Sequence, residues 1–231
     1  MSKWPKQLPI LNDKEKRIHD DFMKYWHEIV PKTYKIAEVF NHSFPIKNCK
    51  AGGQVLEIGS GLGEHISYEN LNDTEYYAME LRPELAEKIK ERYSKVRVII
   101  GDCQKPLPFI EQFFDRVIAV HVLEHLPDLP SALKEVYRVL KSNGEFCVVI
   151  PCEGGFAHSC ARHISAKRIF EKRYGISFNK FHKREHINNA KEIIEELNNC
   201  FKITKKSFFP FIIPSINLNI FIGMILLKKH I

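Results

Sequence analysis

Two carboxylates and three glycines are spaced to hold a nucleoside that carries a cationic end. Gly59, Gly61 and Gly63 alternate at the end of the apolar run Val55 to Ile58. Glycines so placed let a strand turn sharply into a helix while the backbone lies close against a ligand. A dinucleotide loop needs its third glycine at position 64, where this chain has Glu64. Glu57 stands two residues before the first glycine, and a carboxylate there repels a pyrophosphate and attracts a cation. Glu80, 21 residues after Gly59, falls at the end of the next apolar run, where a carboxylate can grip both hydroxyls of a ribose.

Four stretches in this order resemble the class I S-adenosylmethionine-dependent methyltransferases, and within them the type 11 group. They are Glu57-Ile-Gly-Ser-Gly-Leu-Gly63, Tyr77-Ala-Met-Glu80, Gly101-Asp102-Cys103, and Phe114-Asp115-Arg116-Val117 continuing through His121-Val-Leu-Glu-His-Leu126. The last third, from Pro151-Cys-Glu-Gly-Gly155 onward, is similar to bacterial members associated with surface-polysaccharide synthesis. The resemblance implies a Rossmann-like α/β fold: a seven-stranded, mostly parallel sheet, helices on both faces and a final antiparallel hairpin. It also implies S-adenosylmethionine as cofactor.

On that resemblance, Gly59, Ser60, Gly61 and Gly63 admit the methionyl end, and Glu57 accepts from its ammonium directly or through water. Glu80 takes the ribose, with Leu81 beside it; Asp102 accepts from the adenine amino group and the Cys103 amide donates to the ring. His121 falls where the family places a residue against sulfonium and acceptor. Methyl transfer is an in-line displacement, so the protein positions two reactants and removes a proton from the acceptor. His121 is the first choice for that base, followed by His158 and His163. Some metal-assisted members carry Glu-x-x-Glu-His where this chain has His121-Val-Leu-Glu124-His125. A divalent ion at Glu124 and His125, completed by His158 or His163, is therefore the lesser option beside a metal-free site.

These residues need strands and helices to carry them. From Gln54 to Pro151 the two alternate: strands over 55–58, 76–79, 96–100, 116–120 and 145–150, helices over 82–93 and, capped by Ser131, 131–140, with a turn at Asn143-Gly144. Strand then helix, repeated, predicts a parallel sheet with its ligand at the carboxyl ends. Residues 12–41 predict two helices, the first capped by Asn12 or Asp13 and carrying Ile18, Phe22, Tyr25, Trp26 and Ile29, the second bringing Tyr34, Ala37, Val39 and Phe40. Pro31 ends the first or opens the second. In the resembled family this cap closes over the cofactor, which makes Tyr25 and Trp26 acceptor-site candidates. Asn189–Asn198 predicts an amphipathic helix, and 201–209 and 218–227 two last strands, the final one apolar throughout because it is inserted between two others. The whole is expected to be one domain, with 1–50 as helical cap, 51–151 as cofactor-binding core and 152–231 as acceptor-side insertion and hairpin.

Composition limits the rest. A chain of 231 residues, 44% of them hydrophobic, can bury one sizeable α/β core. Net charge +7 invites phosphates, but no recognition helix or aromatic RNA motif accompanies it, so a lysine-rich enzyme surface is the expectation rather than nucleic-acid binding. Six cysteines without a CxxC pair predict reduced thiols in a cytoplasm, and the N-terminus has no apolar core of signal-peptide length. Pro210, Pro214, Asn217 and Asn219 break the apolar tail, which argues against a membrane span. Nine Lys and Arg between Arg162 and Lys191, interleaved with Phe170, Tyr174, Phe178 and Phe181, suit an anionic acceptor. The reading is therefore methyl transfer to an oxygen of a sugar or glycan-like acceptor. A phenolic or quinone-type acceptor comes second and a nitrogen acceptor third. Outside the class stand a non-catalytic cofactor-binding module and a nicotinamide-dependent oxidoreductase.

Overall fold

The structure, a computed structural model, describes residues 3–33 and 35–229, without the side chains of 27–33. Tyr34 and the side chain of Ile29 therefore lie outside the described residues. Seven strands form one sheet in the order β3-β2-β1-β4-β5-β7-β6. They are β1 (Gly53–Ile58), β2 (Thr74–Glu80), β3 (Arg97–Ile100), β4 (Phe114–Val120), β5 (Leu140–Pro151), β6 (Phe201–Phe209) and β7 (Phe221–Lys228). The first five run parallel, and β7 lies antiparallel between β5 and β6. Inserted there, β7 is covered on both faces, and its stretch Ile222 to Leu226 is buried. This is the Rossmann-like sheet with its closing hairpin.

Parallel register aligns the strand ends that matter. Ile58 pairs with Met79 and with Ala119, and Glu80 pairs with Ile100, so the loops after β1, β2, β3 and β4 leave one edge of the sheet together. Between β1 and β4 the strand order reverses, and a crevice opens at such a switch point. Alternation along β1 sends Leu56 and Ile58 into one core layer and Val55 into the other.

Four helices matter to the site: α1 (Asp13–Thr33), α2 (Lys35–Asn48), α3 (Pro83–Arg92) and α4 (Leu129–Val139). Asn12 caps α1: its Oδ1 accepts from the Glu15 amide while Glu15 accepts from the Asn12 amide, a reciprocal box. Pro31 neither ends α1 nor opens α2, since α1 continues to Thr33. α2 runs past the expected end at 41, through Pro45, because Phe44 packs onto β7 at Gly223. α4 starts two residues earlier than its sequence suggests, since Asp128 and not Ser131 caps it, with Ser131 donating to its carboxylate. Asn143-Gly144 is no turn: the residues lie within β5, opposite a register shift between Phe114 and Arg116. β7 begins at Phe221, three residues later than expected, because Asn219 donates its amide to the Ile213 and Ser215 carbonyls and holds a loop closed.

The helix expected after the glycine loop is absent, and only a 3-10 turn, His65–Tyr68, stands there. Six strand residues cover roughly 20 Å, and a helix returning that distance needs roughly 13 residues. Residues 59–73 must also form the loop and the turn back, which leaves too few. α2 covers that face instead, with Phe44 and Phe40 packed against the layer of Ile66, Ile118, Val120 and Val149.

Beyond β5 come α5 (Phe156–Arg162), a π-helical turn over His163–Lys167, α6 (Arg168–Tyr174), α7 (Asn179–Glu185) and α8 (Ala190–Cys200), the last capped by Asn189 in a reciprocal box with Glu192. α1 packs on this region through Phe22, Phe170, Phe178 and Phe181. Cys49 and Cys147 are joined as a disulfide between the end of α2 and β5, so free thiols remain at Cys103, Cys152, Cys160 and Cys200 and not at all six. Among the described residues no helix is long and apolar enough to cross a membrane.

Candidate active site

Gly59 holds φ +66°, and a Cβ on it would stand 2.5 Å from Val122 Cγ2. Glycine is needed on both counts, so the loops after β1 and β4 touch at the crevice. The Ser60 amide donates to the Met79 carbonyl at 3.0 Å, and its hydroxyl turns inward to the Glu57 carbonyl at 3.2 Å. Ser60 thus ties the loop to the sheet, and the amides that follow it are held by Glu80, Glu64 and the Ser60 carbonyl. Glu80, 3% exposed at the end of β2, accepts from the Gly61 amide at 2.9 Å and from the Arg82 amide at 3.0 Å. Oε2 keeps a second lone-pair site for a hydroxyl, and Oε1 gains one when the Arg82 Nε, now 3.1 Å from it, swings away. Leu81 next to it is exposed, an apolar face ready for a flat ring. Asp102 uses Oδ1 to cap the Gln104 amide at 2.9 Å. Cys103 is buried in the core and its thiol is pushed up to about 12 by burial, so its sulfur is inert.

Glu57 is buried and accepts from the Tyr76 hydroxyl at 3.0 Å. Burial raises its pKa to about 8, against the lowering effect of the Tyr76 and Ser60 hydrogen bonds. The folded state therefore holds a proton that the unfolded chain releases near 4.5, and stability falls as the pH rises from that value toward 8. An ammonium brought to Glu57 favours the carboxylate instead. Binding of S-adenosylmethionine at neutral pH should then expel a proton. Calorimetric titration in two buffers of different ionisation heat checks it: equal heats at pH 7 would remove Glu57 from the ligand's surroundings.

His121 closes the crevice from β4. Its φ is +54°, unusual for a residue with a side chain, and such strain persists where the surroundings hold it. Here its amide donates to the Val149 carbonyl at 2.9 Å and its ring meets Phe221 edge-on at 5.0 Å. Nδ1 lies 3.2 Å from Glu124 Oε1. Burial opposes ionisation of Glu124, but the His121 hydrogen bond and the nearby His125 outweigh it and hold its pKa at about 2. An ionised carboxylate only accepts, so Nδ1 carries the proton, and in the neutral ring that tautomer leaves the lone pair on Nε2. That Nε2 is buried without a hydrogen-bond partner. Glu38 of α2 pairs with His42 at 3.4 Å and lies near enough to His121 to feel its charge.

The remaining expected residues lie elsewhere. His158 is buried beside Glu153, and burial lowers its pKa to about 4, which makes it a weak base at neutral pH. His163 is exposed on the π-helical turn. His125 turns Nδ1 to the Glu185 carbonyl at 2.5 Å, and its Nε2 is 3.9 Å from Glu124. Among the described residues the group able to hold a metal is Glu153, His182 and His186, which includes neither Glu124 nor His125. Tyr25 lies under the Arg173 guanidinium at 4.5 Å and Trp26 stacks on Phe22 at 5.6 Å, so both serve the packing of α1 onto α6. Arg162 pairs with Glu153, Arg173 with Asp21 and Lys180 with Glu15, each at 2.7–3.1 Å. Glu38, Phe40 and Phe221 complete the site and were not singled out from the sequence.

Residues 56–148 match the family model described as a methyltransferase domain. Over that stretch the chain is similar to a methyltransferase domain. The rice protein 2-methyl-6-phytyl-1,4-hydroquinone methyltransferase 1 is 28% identical over 129 residues, covering 52% of this chain and 34% of its own length. Sterol 24-C-methyltransferase erg6 of Aspergillus fumigatus is 32% identical over 106 residues, covering 43% and 28%. The chain thus spans about a third of the length of these curated relatives. Among solved structures, a protein from Pyrococcus horikoshii superposes with TM-score 0.66 at 18% identity, covering 89% of this chain and 99% of its own. An S-adenosylmethionine-dependent methyltransferase from Thermotoga maritima gives 0.65 at 21%, covering 92% and 99%. The donor set suits S-adenosylmethionine: the one carboxylate of Glu80 for a diol, a glycine loop of positive φ, and a buried acid for an ammonium.

Proposed function

We propose that the protein moves the methyl group of S-adenosylmethionine to an oxygen on a small acceptor with an apolar ring, and that His121 takes the acceptor's proton. The observation that carries this is the unpartnered, buried Nε2 of His121 with ionised Glu124 behind Nδ1. When bound, the cofactor supplies an electrophilic methyl on a sulfonium. The chain's own residues do the rest. Glu80 and the loop from Gly59 to Gly63 hold the nucleoside, Glu57 meets its amino acid end, and Nε2 accepts the hydroxyl proton while Glu124 steadies the imidazolium that forms.

The ring acceptor is supported by what surrounds His121. Phe221 lies against it, Phe209 stacks on Phe221 at 6.3 Å, and Phe40 of α2 stacks on Phe209 at 5.2 Å. The loop after Phe209 exposes Phe211, Ile212 and Ile213. Two of the relatives are a hydroquinone and a sterol methyltransferase by name. A sugar or glycan acceptor, expected from the resemblance, would draw on the basic segment, and three of its cations are already paired with Glu153, Asp21 and Glu15.

An acceptor panel of hydroquinones, catechols, sugars and amines, read by release of S-adenosylhomocysteine, tests the reading. Turnover of sugars alone would overturn the ring acceptor. With any acceptor that is turned over, His121→Ala should lower kcat by about 100-fold or more while cofactor affinity stays within about threefold. Unchanged kcat would remove His121 as the base.

A further inference from the structure

Glu153 follows the end of β5 by two residues and is surrounded by imidazoles. His158 Nδ1 and His186 Nδ1 each lie 3.3 Å from its Oε2, and His182 Nε2 lies 3.3 Å from its Oε1. Oε2 of Glu153 and both Nδ1 atoms are shut off from solvent, and although they face one another at 3.3 Å no well-angled hydrogen bond joins them. Three buried polar atoms converging on one point with poor mutual geometry are costly unless something joins them. We propose that Glu153, His182 and His186, whose ligand atoms lie within 4.8 Å of one another, bind one divalent transition-metal ion of the zinc type.

The spacing suits such an ion. Ligand atoms bonded at roughly 2.0–2.2 Å to a tetrahedral centre stand roughly 3.4 Å from one another. One carboxylate and imidazole nitrogens select zinc, cobalt or nickel, whereas magnesium and calcium want oxygen.

Arg162 is the competitor. Its guanidinium donates to Glu153 Oε1 at 2.7 Å and also contacts His182 Nε2. An ion taken up on the Oε2 side leaves Arg162 as an outer partner of the carboxylate and requires it to release His182. The ligands come from the segment after β5, from α7 and from the residue after α7, so the ion would fasten the 179–186 region to the sheet. His186 also meets His125 ring to ring at 5.2 Å, which links the cluster to Glu124 and His121.

The test uses the full chain without a histidine tag, stripped by chelator and titrated with Co2+, Zn2+ or Mg2+. Co2+ should bind at one equivalent with the visible spectrum of a four-coordinate site. Zn2+ should displace it and raise Tm, and Mg2+ should do neither. Glu153→Gln and His186→Ala should each weaken binding at least about tenfold, whereas exposed His163→Ala should leave it unchanged. Absence of saturable Co2+ or Zn2+ binding by the wild-type chain overturns the proposal even if a variant fails to fold. Equal binding by wild type and Glu153→Gln overturns it as well. Neither outcome touches S-adenosylmethionine binding, which is measured separately.

Discussion

Glu80→Ala should bind S-adenosylmethionine about a hundredfold more weakly than the wild-type chain, or worse. The carboxylate sits at the carboxyl end of β2, 3% exposed, with one oxygen toward the Gly61 amide and the other toward Arg82. A ribose placed there gains two charge-assisted hydrogen bonds worth about 1.5–3 kcal/mol each, and every 1.4 kcal/mol is roughly tenfold in affinity. Alanine also leaves the Gly61 amide without its acceptor, which loosens the loop that receives the ligand. Calorimetry on the variant, with circular dichroism to show an intact fold, reads the effect. Affinity within about threefold of wild type would mean that the nucleoside lies elsewhere.

Gly59→Ala should cost about 3 kcal/mol of stability and abolish cofactor binding. At φ +66° a Cβ adds about 1–2 kcal/mol of backbone strain, and 2.5 Å from Val122 Cγ2 it overlaps a packed side chain, typically another 1–3 kcal/mol. For a chain of this size that lowers Tm by roughly 6–10 °C. The two causes separate in a double-mutant cycle. Val122→Ala removes the overlap but not the strain, so the paired variant should recover about 1–2 kcal/mol relative to the sum of the single changes. Strict additivity would mean that the loops after β1 and β4 do not meet at Gly59.

Much of this architecture was legible before any coordinates. The alternation of apolar runs with helical periods placed β1 to β4 within two residues of their observed ends; β1, β2 and β4 lie inside the sheet and have to be apolar, and edge strand β3 shows the same pattern although none of its residues is buried. The glycine spacing with Glu57 and Glu80 pointed to one crevice, since loops that leave parallel strands must share an edge. The helix after the glycine loop was misread because a turn signal does not report how far the chain must then travel. The Asn143-Gly144 pair was misread because a bulge and a turn use the same residues.

Other features depend on groups far apart in the chain. His121 alone in sequence is one histidine among 11, and only the fold sets Glu124 behind Nδ1 and Phe221 against the ring. The basic segment read as free charge, yet Asp21 and Glu15 of α1 neutralise part of it from more than 150 positions away. His182 and His186, four residues apart, carried a helical ligand-pair signal that passed unnoticed, and Glu153 reaches them through tertiary folding. Local order follows from the periodicity and turn chemistry of neighbouring residues, and those are written along the chain. Protonation, pairing and the identity of a base follow from burial and from partners distant in sequence, and only the packed molecule brings these together.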